Sequence, residues 1–283
     1  MRIPVVLAVT VQAVALLAAG LEVVELKPST LTVFEKYVAL TEARMAGEVD
    51  GRSPFLWADR QPEATRRAIF ERLGRREIVS ERLETRDGRT EIRIKNGLIH
   101  HWVGTVLLPR VTLDRAMAFL RDYDRYAERF SPTIQRSRIL RKDDRQFVVQ
   151  MRTWGKKMTI AAVHDADYVI EYRRLSPSRV YTKSVATNIH HVEDAGEPAE
   201  RRVPGDQSSG YLWRLNTYCW FDERAEGTYE QCESISLTRS APFGMGWLIN
   251  RFVEEIPRET LEFTLNRVRD GLAKSAQAAV SRP

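Results

Sequence analysis

Histidine is the side chain best suited to metal binding or proton transfer near neutral pH, and four of the five histidines stand in two adjacent pairs. His100-His101 and His190-His191 lie in segments with strand-like composition. Neighbouring residues on a strand point to opposite faces, so neither pair can chelate a metal by itself. One histidine of each pair could meet the other across strands, but polar strand ends explain these residues more simply. We therefore predict no metal site.

The fifth histidine, His164, is the best candidate for an acid or a base. Alternation places it on the same strand face as Met158, Ile160 and Ala162, which are expected to face the interior. A hydrogen-bonded histidine at a strand end is the alternative interpretation. The sequence has no Gly-x-Ser-x-Gly elbow and no glycine-rich phosphate loop. It therefore offers no catalytic residue beyond this candidate and implies no cofactor.

The two cysteines, Cys219 and Cys232, occupy the two arms of one predicted hairpin. The segment 223–228 carries the turn signal, because Gly227 can adopt a positive φ. A turn centred there places Cys219 directly opposite Cys232, at a Cα separation that a disulfide can span. We predict this disulfide, with two free thiols as the alternative.

The cysteine prediction depends on the compartment, and the first 20 residues bear on it. Met1-Arg2 is followed by an uncharged apolar run over residues 3–19 and by small residues at 18–20. This pattern is typical of a cleaved signal peptide, and a retained membrane anchor is the alternative. A buried core helix fits poorly, since the segment is apolar on every face. Either favoured interpretation places the protein outside the cytoplasm, in the periplasm or the cell envelope.

The remaining chain divides into a helical part and a mainly β part. Residues 29–91 predict two helices and a lead-in hairpin, the first helix being capped by Thr32, with Glu35 reaching back. Residues 92–283 predict a strand, a helix, further antiparallel strands and a long C-terminal helix. A run of strands closed by a helix indicates an α+β domain in which the helix covers one face of a curved antiparallel sheet.

Such a sheet leaves a concave interior that suits an apolar ligand. We expect hairpin turns at Gly155-Lys156 and Ser176-Pro177. Strand alternation then places two sets of side chains on the interior face of the sheet. The last helix contributes its apolar stripe, and one aromatic side chain lies near the entrance of the cavity. The predicted lining is Phe147, Val149 and Met151, then Trp213, Leu215 and Thr217, then Leu248 and Phe252, and finally Phe130.

Charge and composition exclude other classes of function. The net charge is +6, but the 44 basic residues are spread along the chain among 38 acids. A mixed-sign surface of this kind does not indicate nucleic-acid binding. The hydrophobic fraction of 43% is that of an ordinary globular protein. A membrane surface stays open as a second partner, and the sequence does not give an oligomeric state.

Three segments resemble the START-like helix-grip superfamily, in particular its polyketide cyclase and coenzyme-Q-binding types. They are residues 103–108, residues 119–132 (Phe-Leu-Arg-Asp-Tyr-Asp-Arg-Tyr-Ala-Glu-Arg-Phe-Ser-Pro) and residues 137–140. The segment 246–272 resembles the family's grip helix, and the resemblance covers about residues 98–275. It implies lipid, quinone, polyketide or sterol ligands, in a superfamily that contains both carriers and enzymes.

The sequence thus favours an exported binding or carrier protein for a lipophilic small molecule, without enzymatic activity. A cyclase or aromatase that uses His164 or a buried acid is the first alternative. A structural or assembly module without a ligand is the second. The fold alone does not decide among these three.

Overall fold

The computed structural model describes residues 25–157, 160–207, 211–239 and 246–280. Its five α-helices are α1 (Pro28–Val49), α2 (Glu63–Gly74), α3 (Leu113–Leu120), α4 (Tyr126–Arg129) and α5 (Gly246–Val280). Short 3-10 turns cover Ala58–Arg60, Tyr123–Arg125 and Gly205–Gln207. The strands are β1 (Val79–Arg82), β2 (Arg86–Asp87), β3 (Thr90–Glu91), β4 (Gly97–Pro109), β5 (Ile134–Lys142), β6 (Gln146–Lys157), β7 (Ile160–Ser176), β8 (Arg179–Glu193), β9 (Arg201–Pro204), β10 (Leu212–Arg224) and β11 (Gly227–Arg239).

One large antiparallel sheet organises the molecule. Its strand order is β1-β4-β11-β10-β8-β7-β6-β5, with β9 paired to β8, while β2 and β3 form a separate two-stranded ribbon. The α+β class predicted from the sequence is confirmed, because the sheet curves around the long C-terminal helix. The division at residue 92 stays a prediction. β1 lies before that boundary yet pairs with β4 after it.

The outer face of the sheet is covered by α1, α2 and the 3-10 turn between them. Aromatic and aliphatic side chains of β10 and β11 pack there against the helices, and they are fully buried. This outer core contains residues of both layers, among them Phe34, Phe55, Leu56, Leu73, Tyr218, Trp220, Ile235 and Leu237. The helical part is therefore a second layer on the sheet.

The inner, concave face is covered by α3, α4 and the second half of α5. Leu261 and Leu265 of α5 approach so closely that a Cβ at Gly104 would lie 2.8 Å from Leu265 Cδ1. Gly271 similarly admits the ring of Phe119 from α3. These two glycines allow the helix to lie directly on β4 and against α3.

Two local expectations from the sequence are wrong. β6 and β7 continue through the expected turn, with Gly155 opposite Ala162 and Lys157 opposite Ile160, so that the hairpin connection lies at residues 158–159, outside the described residues. Helix α1 begins at Pro28, because proline presets a helical φ at the first turn. Thr32 consequently lies inside the helix and donates its hydroxyl to Pro28 O.

The predicted signal or anchor, residues 1–20, lies outside the described residues. Within the ranges that are described, no helix is both long and apolar enough to cross a membrane.

Candidate functional site

The concave face is formed by alternate side chains of six neighbouring strands, and one half of it is a closed core. Phe147, Val149 and Met151 point there from β6, as predicted, and Phe130 packs with them. All four are at least nine-tenths buried, among aromatic residues of α4 and β7 and leucines of α5. These four predicted lining residues therefore meet, but in the packed half of the face.

The expectation that Trp213 shares a face with Leu215 and Thr217 is wrong. A bulge in β10 lies between Leu212, which is opposite Thr238, and Arg214, which is opposite Leu237. The extra residue reverses the alternation, as bulges do. Trp213 consequently packs in the outer core, whereas Leu215 and Thr217 remain on the concave face.

The other half of the concave face is accessible along one line of side chains that we call the polar row: Trp102, Ser234, Thr217 and Ser184. Each member is directly opposite the next across β4, β11, β10 and β8. All four are half-buried, in contrast to the closed core. The three hydroxyls have no hydrogen-bond partner among the described residues. They are therefore free to bind polar groups of a ligand.

Apolar side chains border the polar row. Ala166, Ala186 and Ile189 form a small buried cluster on β7 and β8, against which Leu212 and Leu215 pack. Arg258 of α5 lies over the ring of Trp102, 5.9 Å from its centroid, at the opposite end of the row. Leu248 and Phe252 belong to the first half of α5, and their side chains are outside the described residues. The predicted contribution of these two side chains stays a prediction.

His164 lies on the concave face, because it shares alternation with Ala166 on β7. Its cross-strand partner is His191, and the ring centroids are 5.5 Å apart. Burial, followed by the neighbouring His191, lowers the pKa of His164 to about 4. The nearest acidic residue in sequence, Asp165, is on the other face, where both its oxygens bind Arg152. Among the described residues, therefore, no carboxylate is hydrogen-bonded to His164 to orient its ring for catalysis.

The adjacent histidines do point to opposite faces, as alternation requires. His100 is on the concave face, with Nε2 2.7 Å from Thr238 Oγ1, and burial lowers its pKa to about 4. His101 is on the outer face. Among the described residues no three metal-ligating side chains come together.

The outer face contains a buried ionic network that the sequence did not reveal. His101 Nδ1 is 2.8 Å from the Tyr37 hydroxyl, and its Nε2 is 2.6 Å from Glu233 Oε1. Arg44 of α1 pairs with both Glu233 and Glu48. The side chains of both glutamates are completely buried. This network fastens α1 to the sheet.

An open cleft of about 650 Å³ also lies on the outer side, at the end of α1. Its lining is mostly charged and includes Glu48, Asp59, Asp222 and Arg224, several of which pair with one another. A cleft with this lining does not suit a lipophilic molecule.

Glu230 is a second group that sequence reasoning missed. It stands in the closed half of the concave face, opposite Phe221 and Val106, and is 2% exposed. Its Oε2 has no hydrogen-bond partner within the described ranges. Burial raises the pKa of this carboxyl to about 8. Its signal in the sequence is an acid at an inward position of a strand.

Cys219 and Cys232 form the predicted disulfide, with a Cα separation of 4.1 Å. The register is the one expected, since Phe221 is opposite Glu230 and Thr217 is opposite Ser234. Both half-cystines lie on the concave face, beside the polar row.

We expect no reactive thiol when protein recovered from the native cells is unfolded without reductant and treated with a thiol reagent. Reduction should then lower the free energy of unfolding by about 2–3 kcal/mol at most, because the closed loop is short. Two labelled cysteines per chain before reduction would contradict the oxidised state.

No family model matches the chain, and no curated protein matches it in sequence. Several solved structures are similar to it. A STAR-related lipid transfer protein from Xanthomonas axonopodis is 16% identical, with a TM-score of 0.44, over 69% of this chain and 98% of that chain. Zhui aromatase/cyclase from Streptomyces sp. R1128 is 14% identical, with a TM-score of 0.46, over 64% of this chain and 98% of that chain.

A START superfamily protein from Mycobacterium smegmatis is 9% identical, with a TM-score of 0.38, over 70% of this chain and 97% of that chain. Identities this low concern the fold alone. Of these three proteins, one is described as a STAR-related lipid transfer protein and one as a START superfamily protein.

Proposed function

We propose that this protein binds or carries a lipophilic small molecule of lipid, quinone or polyketide type on its concave face. The observation that supports this most directly is the half-buried polar row with three free hydroxyls. Apolar side chains of Leu215 and Ala186 border it. An apolar lining with a few convergent polar groups is the usual composition of a small-molecule site. α5 forms the wall on the β4 side.

Binding is favoured over catalysis by the surroundings of the two buried titratable groups. His164 has no carboxylate partner on its face among the described residues. Glu230 is enclosed by the apolar core rather than open to the polar row. A cyclase or aromatase would need one of these groups within reach of a substrate. A module without a ligand is the remaining alternative, and it would not bind apolar probes.

Replacing Thr217 by tryptophan should block the site, because the new ring would fill the centre of the polar row. We expect the affinity for N-phenyl-1-naphthylamine, a neutral fluorescent probe, to fall at least about tenfold, since the probe would lose its contact with the polar row. Thr187→Trp is the matched control, as Thr187 is an exposed threonine of β8. Fluorescence titration measures both, and thermal melting checks that both variants fold. Equal probe affinity in the two variants would refute the location.

The natural ligand can be sought directly. We expect mass spectrometry of organic extracts from protein purified from its native host to show a small apolar molecule in stoichiometric amount. The same extraction from Thr217→Trp protein should lack it. Extracts that contain no such molecule, together with wild-type protein that binds no apolar probe, would favour the structural module.

Export to the periplasm or cell envelope is part of the proposal. It is supported by the apolar N-terminal run and by the disulfide, since disulfides persist in oxidising compartments. Fractionation of native cells, with an antibody against the folded protein, tests it. Protein found only in the cytosolic fraction would exclude export.

A further inference from the structure

Two histidines lie at the end of the concave face beyond the polar row. His164 and His191 occupy directly opposite positions on β7 and β8, with their rings edge to face. His164 Nε2 and His191 Nδ1 are both shielded from solvent, and neither has a hydrogen-bond partner in the part of the chain that the structure describes. A buried polar atom that has lost its water without gaining a partner destabilises the protein. Two such atoms on directly opposite residues point to a polar group supplied by a bound molecule.

The electrostatic surroundings of this histidine pair define what that group can be. Burial is the largest influence on both imidazoles, and it lowers the pKa of each. Arg239 lies near enough to lower the pKa of His191 further, against the opposing effect of Glu193. Neutral rings beside an arginine do not favour a cationic ligand. Each neutral imidazole instead offers one N–H donor and one acceptor nitrogen.

A ligand hydroxyl that reaches both nitrogens can satisfy them, except when both are acceptors. If one is a donor and the other an acceptor, the hydroxyl accepts from the first and donates to the second. If both are donors, the two lone pairs of the hydroxyl oxygen accept both. A carbonyl oxygen serves only the second case.

The side chains next to the histidine pair are small and apolar. Ala166 follows His164 on the same face of β7, and Ala186 and Ile189 lie beside it on β8. A flat apolar body can rest on this cluster while its polar substituent reaches the two rings.

We propose that the histidine pair is the subsite for a neutral hydroxyl substituent of the ligand, whose apolar body lies on Ala166, Ala186 and Leu215. The inference rests on the proposed function, because it assigns the polar end of the same ligand. It narrows the ligand class to hydroxylated aromatic or alicyclic molecules.

Two naphthalenes that differ by one methyl group test the subsite. 2-Naphthol carries a hydroxyl, and 2-methoxynaphthalene has the same rings with that proton replaced. We expect the wild-type protein to bind 2-naphthol about tenfold more tightly, as one or two net hydrogen bonds would give. The double variant His164→Phe/His191→Phe should bind both molecules with nearly equal affinity and retain its affinity for 2-methoxynaphthalene.

His190→Phe is the matched control, because His190 neighbours the pair in sequence while its Nδ1 lies 2.7 Å from Asn188 O. It should keep the tenfold preference. If the double variant loses both molecules through misfolding, the single variants His164→Phe and His191→Phe decide, and each should reduce the preference. Wild-type protein that binds both molecules equally would overturn the subsite and leave the proposed function standing. Wild-type protein that binds neither would overturn both.

Discussion

Replacing Glu230 by glutamine should make the protein progressively more stable than the wild type as the pH rises from about 4.5 to 8. The carboxyl has its pKa raised from 4.5 to about 8 by burial. Between these values the folded chain therefore holds a proton that the unfolded chain releases. Stability contributed by that proton is present below pH 4.5 and is lost as the pH rises toward 8.

The size of the effect follows from the shift in pKa. A shift of this extent corresponds to a stability change of about 5 kcal/mol, most of it lost by pH 8. Glutamine has nearly the same shape but does not ionise, so Glu230→Gln should be the more stable protein at pH 8. Urea unfolding at pH 5, 6.5 and 8 measures this.

The matched control for this prediction is Glu91→Gln, which alters an exposed glutamate on β3. Its stability should follow the wild-type curve at every pH. Parallel curves for wild type and Glu230→Gln would mean that the buried carboxyl does not carry the proton.

Replacing Arg44 by methionine should strongly destabilise the packing of the helical layer on the sheet. It leaves Glu233 without its arginine and leaves Glu48 with Arg60 alone, although both carboxylates are buried. Removing one partner of a buried ion pair typically costs about 3–5 kcal/mol, because the remaining charge is uncompensated. For a chain of this size, the melting temperature should fall by roughly 10 °C.

Arg52→Met is the matched control, because Arg52 pairs with Asp50 on the surface. An exposed pair contributes at most about 1 kcal/mol. Adding Glu233→Gln to Arg44→Met should restore part of the loss, since it removes the uncompensated charge. The network does not hold α1 as described if Arg44→Met has the same melting temperature as Arg52→Met. The same conclusion applies if adding Glu233→Gln to Arg44→Met lowers the stability further.

Features that depend on a short stretch of chain could be predicted from the sequence. The turn at 225–226 and the strand alternation around it are enough to place Cys219 opposite Cys232. Alternation likewise placed Phe147, Val149 and Met151 on one face. The α+β class followed from the order of strands and helices.

Features that depend on distant pairing could not be predicted. Arg44 and Glu233 are 189 residues apart, and nothing local indicates that α1 lies over β11. The polar row is a product of strand order, which brings Ser184, Thr217 and Ser234 onto one line from separate strands. The bulge that turns Trp213 outward contains no glycine or proline, so the local sequence does not predict it. The meeting of His164 with His191 also required the β7–β8 register.

The outer face of the sheet limits how far the chain can be shortened from its N-terminal side. Tyr218, Trp220, Ile235 and Leu237 are fully covered there by the helical layer. A chain trimmed to begin at Ile92 would keep the concave face but expose this apolar surface to water. Large exposed apolar surfaces drive self-association. The helical layer therefore acts as a built-in solubilising cover, and shortened versions that retain only sheet and grip helix should precipitate.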